Sequence, residues 1–175
     1  MLLNEIRKNA GLLNENYENL SDYDIYQKGN KDPDFNFDKG LDALLEKDKI
    51  GDLIYMAGVK WKEFDFKKGL DALLEKDKDG QLIYSAGLNW KTFDFKKGFD
   101  TLISKDKTGD WIYRAGKKWK TFDFKKGMEV LEKIGGEYLE EAKKDWPKSY
   151  PEKLKDVKDK YDENHIPGKR KKLKR

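Results

Sequence analysis

Apolar residues along this chain fall at helical spacing, in blocks that return. Phe66, Leu70, Leu73 and Leu74 stand at i, i+4, i+7 and i+8, one face of a helix. Asp65 is placed to cap that helix, with Phe64 just outside to fasten the chain's approach. Asp77-Lys78-Asp79-Gly80 ends it. Trp111, Ile112, Ala115 and Trp119 make a second stripe, and Thr108 is positioned to cap its start. The rival to this second helix is a β-hairpin running through Leu82-Ile83-Tyr84 and Trp90 to Phe95, since those residue types favour strands. Glu137-Tyr138-Leu139-Glu140-Glu141-Ala142-Lys143-Lys144, which occupies the matching stretch near the end of the array, is strongly helix-forming. One fold for every unit is the simpler assumption, so two helices per unit is the expectation.

The blocks repeat every 29 residues: Gly40, Gly69, Gly98 and Gly127 keep that interval, as do Leu44, Leu73, Leu102 and Leu131. Phe66, Phe95 and Phe124 keep step with them, and so do Trp61, Trp90 and Trp119. Gly136, Leu139, Ala142 and Trp146 match Gly109, Ile112, Ala115 and Trp119 once two residues are dropped from the intervening loop. Gly58, Gly87 and Gly116 sit inside the second helix, where glycine costs about 1 kcal/mol against alanine. A close helix crossing onto the next unit is the expected reason. The final unit carries Lys143 there, as an end cap should. At the front, Ile25, Tyr26 and Gly29 align with Ile54, Tyr55 and Gly58, Phe35 and Phe37 with Phe64 and Phe66, and Asp32 replaces the tryptophan. The expected organisation is a decayed capping repeat within 1–36, units at 37–65, 66–94, 95–123 and a shortened 124–147, then 148–175. That last stretch reads as a short helix bearing Leu154, Val157 and Tyr161, followed by a basic tail.

This arrangement resembles the broad class of α-solenoids built from helix pairs, of which tetratricopeptide and HEAT repeats are members. The likeness rests on architecture over residues 21–147; the tetratricopeptide signature and period are absent. It implies an all-α, right-handed-type solenoid. The opening Leu3-Asn4-Glu5-Ile6-Arg7-Lys8-Asn9-Ala10-Gly11-Leu12 is similar to leaders on some tailed-phage proteins, which implies a viral origin and a structural, virion role as a third functional reading.

Composition agrees with an extended array: charged residues, at 41%, outnumber hydrophobic ones, at 37%, yet aromatics at 13% leave ample bulk to bury. The absence of cysteine removes disulfides, thiolate metal sites and thiol nucleophiles. No signal-peptide core opens the chain and no stretch is long enough to span a bilayer, so a soluble, cytoplasmic protein is expected. Catalytic constellations are not evident. His165 is the only histidine and lies in a polar stretch. Ser21, Ser85, Ser104 and Ser149 have no nearby histidine to activate them. Asp42, Asp71 and Asp100 recur in every unit, as a structural contact does and a catalytic residue does not. Asp77-Lys78-Asp79-Gly80 has part of an EF-hand's spacing but lacks its third acidic ligand and closing glutamate. The tryptophan ladder could stack bases or sugars, but shares its stripe with Ile112 and Ala115 and reads as core. No cofactor is expected, and the chain is read as a non-enzyme.

Three features could bind a partner. Met56/Ser85/Arg114, Val59/Leu88/Lys117 and Lys60/Asn89/Lys118 vary between units while sharing one face of the second helix, where solenoids meet their partners. Met56, Val59 and Leu88 would form an apolar patch suited to protein. Lys67-Lys68, Lys96-Lys97 and Lys125-Lys126 put cations in the first turn of a helix, against its dipole. Either acidic neighbours or a phosphate-bearing partner should offset them. Lys169, Arg170, Lys171, Lys172, Lys174 and Arg175 form a terminal arm that nucleic acid, an acidic protein or an anionic membrane surface would attract; it outweighs the formal net charge of +4 and leaves the body near neutrality. The leading reading is a protein-binding repeat scaffold; the alternative is a nucleic-acid-associated protein using the tail and the lysine ladder.

Overall fold

A computed structural model describes residues 17–146. Among them the chain forms helices and no strand: α1 (Asp22–Lys31), α2 (Phe37–Lys47), α3 (Asp52–Lys60), α4 (Phe66–Lys76), α5 (Gln81–Asn89), α6 (Phe95–Lys105), α7 (Asp110–Lys118), α8 (Phe124–Ile134) and α9 (Glu137–Asp145). The hairpin reading is thereby replaced by helix: Leu82-Ile83-Tyr84 lies within α5. The helices stack as a repeat solenoid in two rows. α1, α3, α5, α7 and α9 contact one another in succession, while α2, α4, α6 and α8 each touch the helix before and the helix after.

The helices of this second set (α2, α4, α6, α8) begin as their sequences direct. Asn36, Asp65, Asp94 and Asp123 hold extended or near-extended φ/ψ, and their side-chain oxygens accept backbone N–H groups of the first turn. Phe35, Phe64, Phe93 and Phe122, one residue outside each cap, fold their rings over Gly40, Gly69, Gly98 and Gly127. Leu41 and Leu44, Leu70 and Leu73, Phe99 and Leu102, and Met128 and Leu131 form the buried stripe.

The turn into the next helix is built differently from the expectation. α3, α5 and α7 have glycine N-caps, Gly51, Gly80 and Gly109, with φ of 94°, 94° and 84° and no side-chain cap bond. Left-handed backbone there is cheap only for glycine. The capping is supplied by Asp48, Asp77 and Asp106, all buried. One carboxylate oxygen accepts from the N–H of Gly51, Gly80 or Gly109 at 2.8–3.0 Å. The other accepts from Ile54, Ile83 or Ile112 at 2.9–3.0 Å, six residues on. Thr108 is an accessory: its hydroxyl donates to Asp106 Oδ1 at 2.9 Å. Burial pushes the Asp77 carboxyl above its usual pKa, while the Ile83 and Gly80 N–H groups pull it back.

The mid-helix glycines are explained by a side chain, where a helix crossing was expected. The indoles of Trp61, Trp90, Trp119 and Trp146 lie on Gly29, Gly58, Gly87 and Gly116 of the preceding unit, so close that a Cβ would overlap the ring. Each indole N–H also donates into that helix, to the carbonyls of Tyr26, Tyr55, Tyr84 and Tyr113 at 3.0–3.2 Å. Phe64 and Phe66 close around Trp90, with centroids 5.3 and 5.7 Å away, and the other units repeat this. Each tryptophan thus buries its ring, satisfies its one donor and ties two units together.

The described ends depart from this pattern. Tyr17 meets Phe35 edge-on at 5.8 Å, and Lys47 Nζ donates to the carbonyls of Glu18 and Leu20. At the other end, the turn into α9 has no buried aspartate and runs through Gly135 and Gly136, both at positive φ with open space around them. Lys143 is exposed at the position where α3, α5 and α7 carry the glycine. No helix among the described residues is long and apolar enough to cross a membrane. The opening segment, the Leu154–Val157–Tyr161 helix, His165 and the tail cations Lys169 to Arg175 lie outside the described residues.

Candidate partner-binding face

The row α1–α3–α5–α7–α9 presents two opposed faces. Ile54, Ala57 and Gly58 of α3, like Ile83, Ala86 and Gly87 of α5, point into the core. The opposite face carries the variable residues. Met56, Val59 and Leu88 expose 39%, 38% and 41% of their surface, an apolar group spread over two adjacent helices. Lys60 and Lys118 are exposed as well. Ser85 is half-buried, and Asn89 is already engaged: its side-chain amide donates to the Tyr55 hydroxyl at 2.8 Å and to the Ser85 carbonyl at 3.0 Å.

Toward α7 and α9 the face becomes aromatic and charged. Arg114 Nε donates to Asp110 at 2.6 Å while its guanidinium lies 5.6 Å from the centroid of Trp111. Trp111 in turn meets Tyr84 of α5 at 5.3 Å. Lys117 Nζ donates to Asp145 at 2.7 Å and to the Tyr113 hydroxyl at 3.1 Å, and that hydroxyl donates to Asp145 at 2.6 Å. Hydrogen bonds from Lys117 and Tyr113 hold the Asp145 carboxyl below the usual carboxylate range. The same bonds, Asp145 first, push the Lys117 ammonium up; Asp145 likewise raises the Tyr113 hydroxyl. A cleft of about 370 Å³ opens here, between Tyr84, Tyr113, Lys118, Tyr138 and Glu141. Trp111, Tyr113, Tyr138, Glu141 and Asp145 were not among the candidates read from sequence. The available signal was the 29-residue column of Tyr55, Tyr84 and Tyr113, one residue before Met56, Ser85 and Arg114.

Comparison with protein-family models, with curated proteins and with solved structures finds no match to this chain. The reading of its surfaces therefore rests on the geometry.

The lysine ladder divides in the fold. Lys68 donates to Asp42 at 2.9 Å, Lys126 to Asp100 at 2.5 Å, and Lys97 to Asp71 in the same way. The recurring aspartates are thus unit-to-unit contacts, and one lysine of each pair is spoken for. Lys67, Lys96 and Lys125 are exposed and make no ion pair among the described residues. The ladder tryptophans, Trp61, Trp90, Trp119 and Trp146, are no stacking platform, being 4–7% exposed. Asp77 turns its oxygens to backbone N–H groups, away from any solvent cation.

Proposed function

We infer that this protein is a non-catalytic repeat scaffold that captures a protein partner along the outward face of α3, α5 and α7. The observation that carries the reading is the exposure of Met56, Val59 and Leu88 together. Among the described residues the other large aliphatic side chains are buried or half-buried, Ile50 excepted. An apolar group on a rigid, stacked row of helices suits a protein surface or segment better than a polar ligand. The engaged charges of Arg114 and Lys117 extend the contact as a polar rim.

The test replaces Met56 and Leu88 with aspartate in one variant. Neither side chain is buried, so the melting temperature should stay within a few degrees of the parent, as for surface changes of about 0.5 kcal/mol or less. Capture of specific proteins from host extract should be lost. Undiminished capture by the folded variant contradicts the assignment of this face.

A further inference from the structure

The two lysines that open each of α4, α6 and α8 have different fates. Lys68, Lys97 and Lys126 are neutralised by aspartates of the preceding unit. Lys67, Lys96 and Lys125 make no ion pair among the described residues, and the capping Asp65, Asp94 and Asp123, two residues before them, each turn one oxygen toward backbone N–H groups at 3.0 Å. A second column joins them. Lys62, Lys91 and Lys120, each following a locking tryptophan, are exposed and make no ion pair or side-chain hydrogen bond among the described residues.

The columns share one edge. Lys62 and Glu63 line a groove of about 650 Å³ together with Phe37 and Asp38 from the first turn of α2. In the 29-residue register, Lys91 takes the same place beside the first turn of α4, where Lys67 stands, and Lys120 beside Lys96. The acids of that first groove do not recur. Asp38 gives way to Lys67 and then Lys96, and Glu63 to Thr92 and then Thr121. After the first boundary each of these places carries two lysines, Lys67 with Lys91 and Lys96 with Lys120, against one capping carboxylate, Asp65 or Asp94, standing where the first groove has Asn36, so the edge is net basic.

We propose that this lysine edge is a docking track for a linear polyphosphate, the backbone of a nucleic-acid strand. Neighbouring helices of a stack lie about 8–10 Å apart, so one extended anion can span successive lysine pairs. A nucleic-acid strand, with a phosphate about every 3.4 Å of rise, supplies one. The track contains no arginine, the residue suited to bidentate reading of bases, so binding is to the backbone and indifferent to sequence. It uses none of Met56, Val59 and Leu88 and does not depend on the protein-binding reading.

The test uses the full chain with the six cations between Lys169 and Arg175 changed to glutamine, so that the tail contributes nothing. Binding of labelled mixed-sequence single-stranded and duplex oligonucleotides is followed by fluorescence anisotropy at several salt concentrations. Changing Lys62, Lys67, Lys91, Lys96, Lys120 and Lys125 to glutamine should weaken binding by about tenfold or more and flatten its salt dependence. Changing the same six to arginine should preserve both, which separates charge from folding. Lys68→Gln, Lys97→Gln and Lys126→Gln together should change little. The proposal is overturned if the six-glutamine variant binds as its parent does, or if the three-glutamine variant loses as much. It is also overturned if inorganic tripolyphosphate competes as well, phosphate for phosphate, as the oligonucleotide, since that marks isolated anion sites and no track.

Discussion

At Gly87 two preferences oppose each other. Helix propensity favours alanine there by about 1 kcal/mol. The indole of Trp119 occupies the space a Cβ would take, and overpacking a close contact costs about 1–3 kcal/mol. The ring is wedged between Phe93 and Phe95 and anchored through its N–H, so it has little room to give. Gly87→Ala should therefore destabilise the protein, by up to about 2 kcal/mol net of propensity. Urea unfolding reads the sign directly, and a stabilised variant means the glycine is a tolerated helix defect. Asp77 makes the companion case. Removing its carboxylate in Asp77→Ala strands the buried N–H groups of Gly80 and Ile83. Each unsatisfied donor costs about 1–3 kcal/mol, so this one change should lower stability by about 2–6 kcal/mol. A loss below about 1 kcal/mol, the scale of an ordinary surface change, contradicts the capping role.

Among elements, α9 is held differently from its counterparts. Its turn lacks the buried aspartate, and beside the Trp146 lock it is tied to α7 by the Lys117–Asp145–Tyr113 group. Asp145 is held below its ordinary 3.8 by that group. A depressed carboxylate contributes stability that is present above the unfolded value and lost as pH falls through the folded one. Lys117, raised in the fold, keeps its share until alkaline pH. Lys117→Gln should therefore lower the melting temperature at neutral pH, and the gap to the parent should close as pH falls below about 4. A gap unchanged by pH would mean Lys117 acts through packing of its stem. Much of this level was legible beforehand. The Leu70–Leu73 stripe and the Asp65 cap are local, 3.6-period features, and they stand where the sequence places them. The role of Asp77 was not legible, because a buried carboxylate facing six residues onward looks in sequence like any polar turn residue. The indole on Gly87 was missed for a related reason: Trp119 lies a full unit away, and spacing says only that the two keep step.

Across the whole molecule, one structural lock repeats while the surfaces change. Tryptophan on glycine and aspartate under the turn recur almost unaltered, which leaves the outward residues free to differ. The apolar character of Met56, Val59 and Leu88 fades into the aromatic and charged surface of α7 and α9, and the lysine edge becomes basic only after the first boundary. The sequence marked the variable positions, because variation against a fixed period is itself a surface signal. It did not show that Asn89 and Lys117 are already engaged, or which lysines of the ladder are paired, because those depend on contacts across 26 to 34 residues. The most direct measurement of the account is site-specific photo-crosslinking in the cell of origin, with a photoreactive residue at Leu88, at Lys96 or at Glu75, which is exposed on the opposite row. The account predicts a discrete protein adduct from position 88, nucleic acid from position 96, and no specific adduct from position 75. Equal protein adducts from positions 88 and 75, or none from 88, would contradict it.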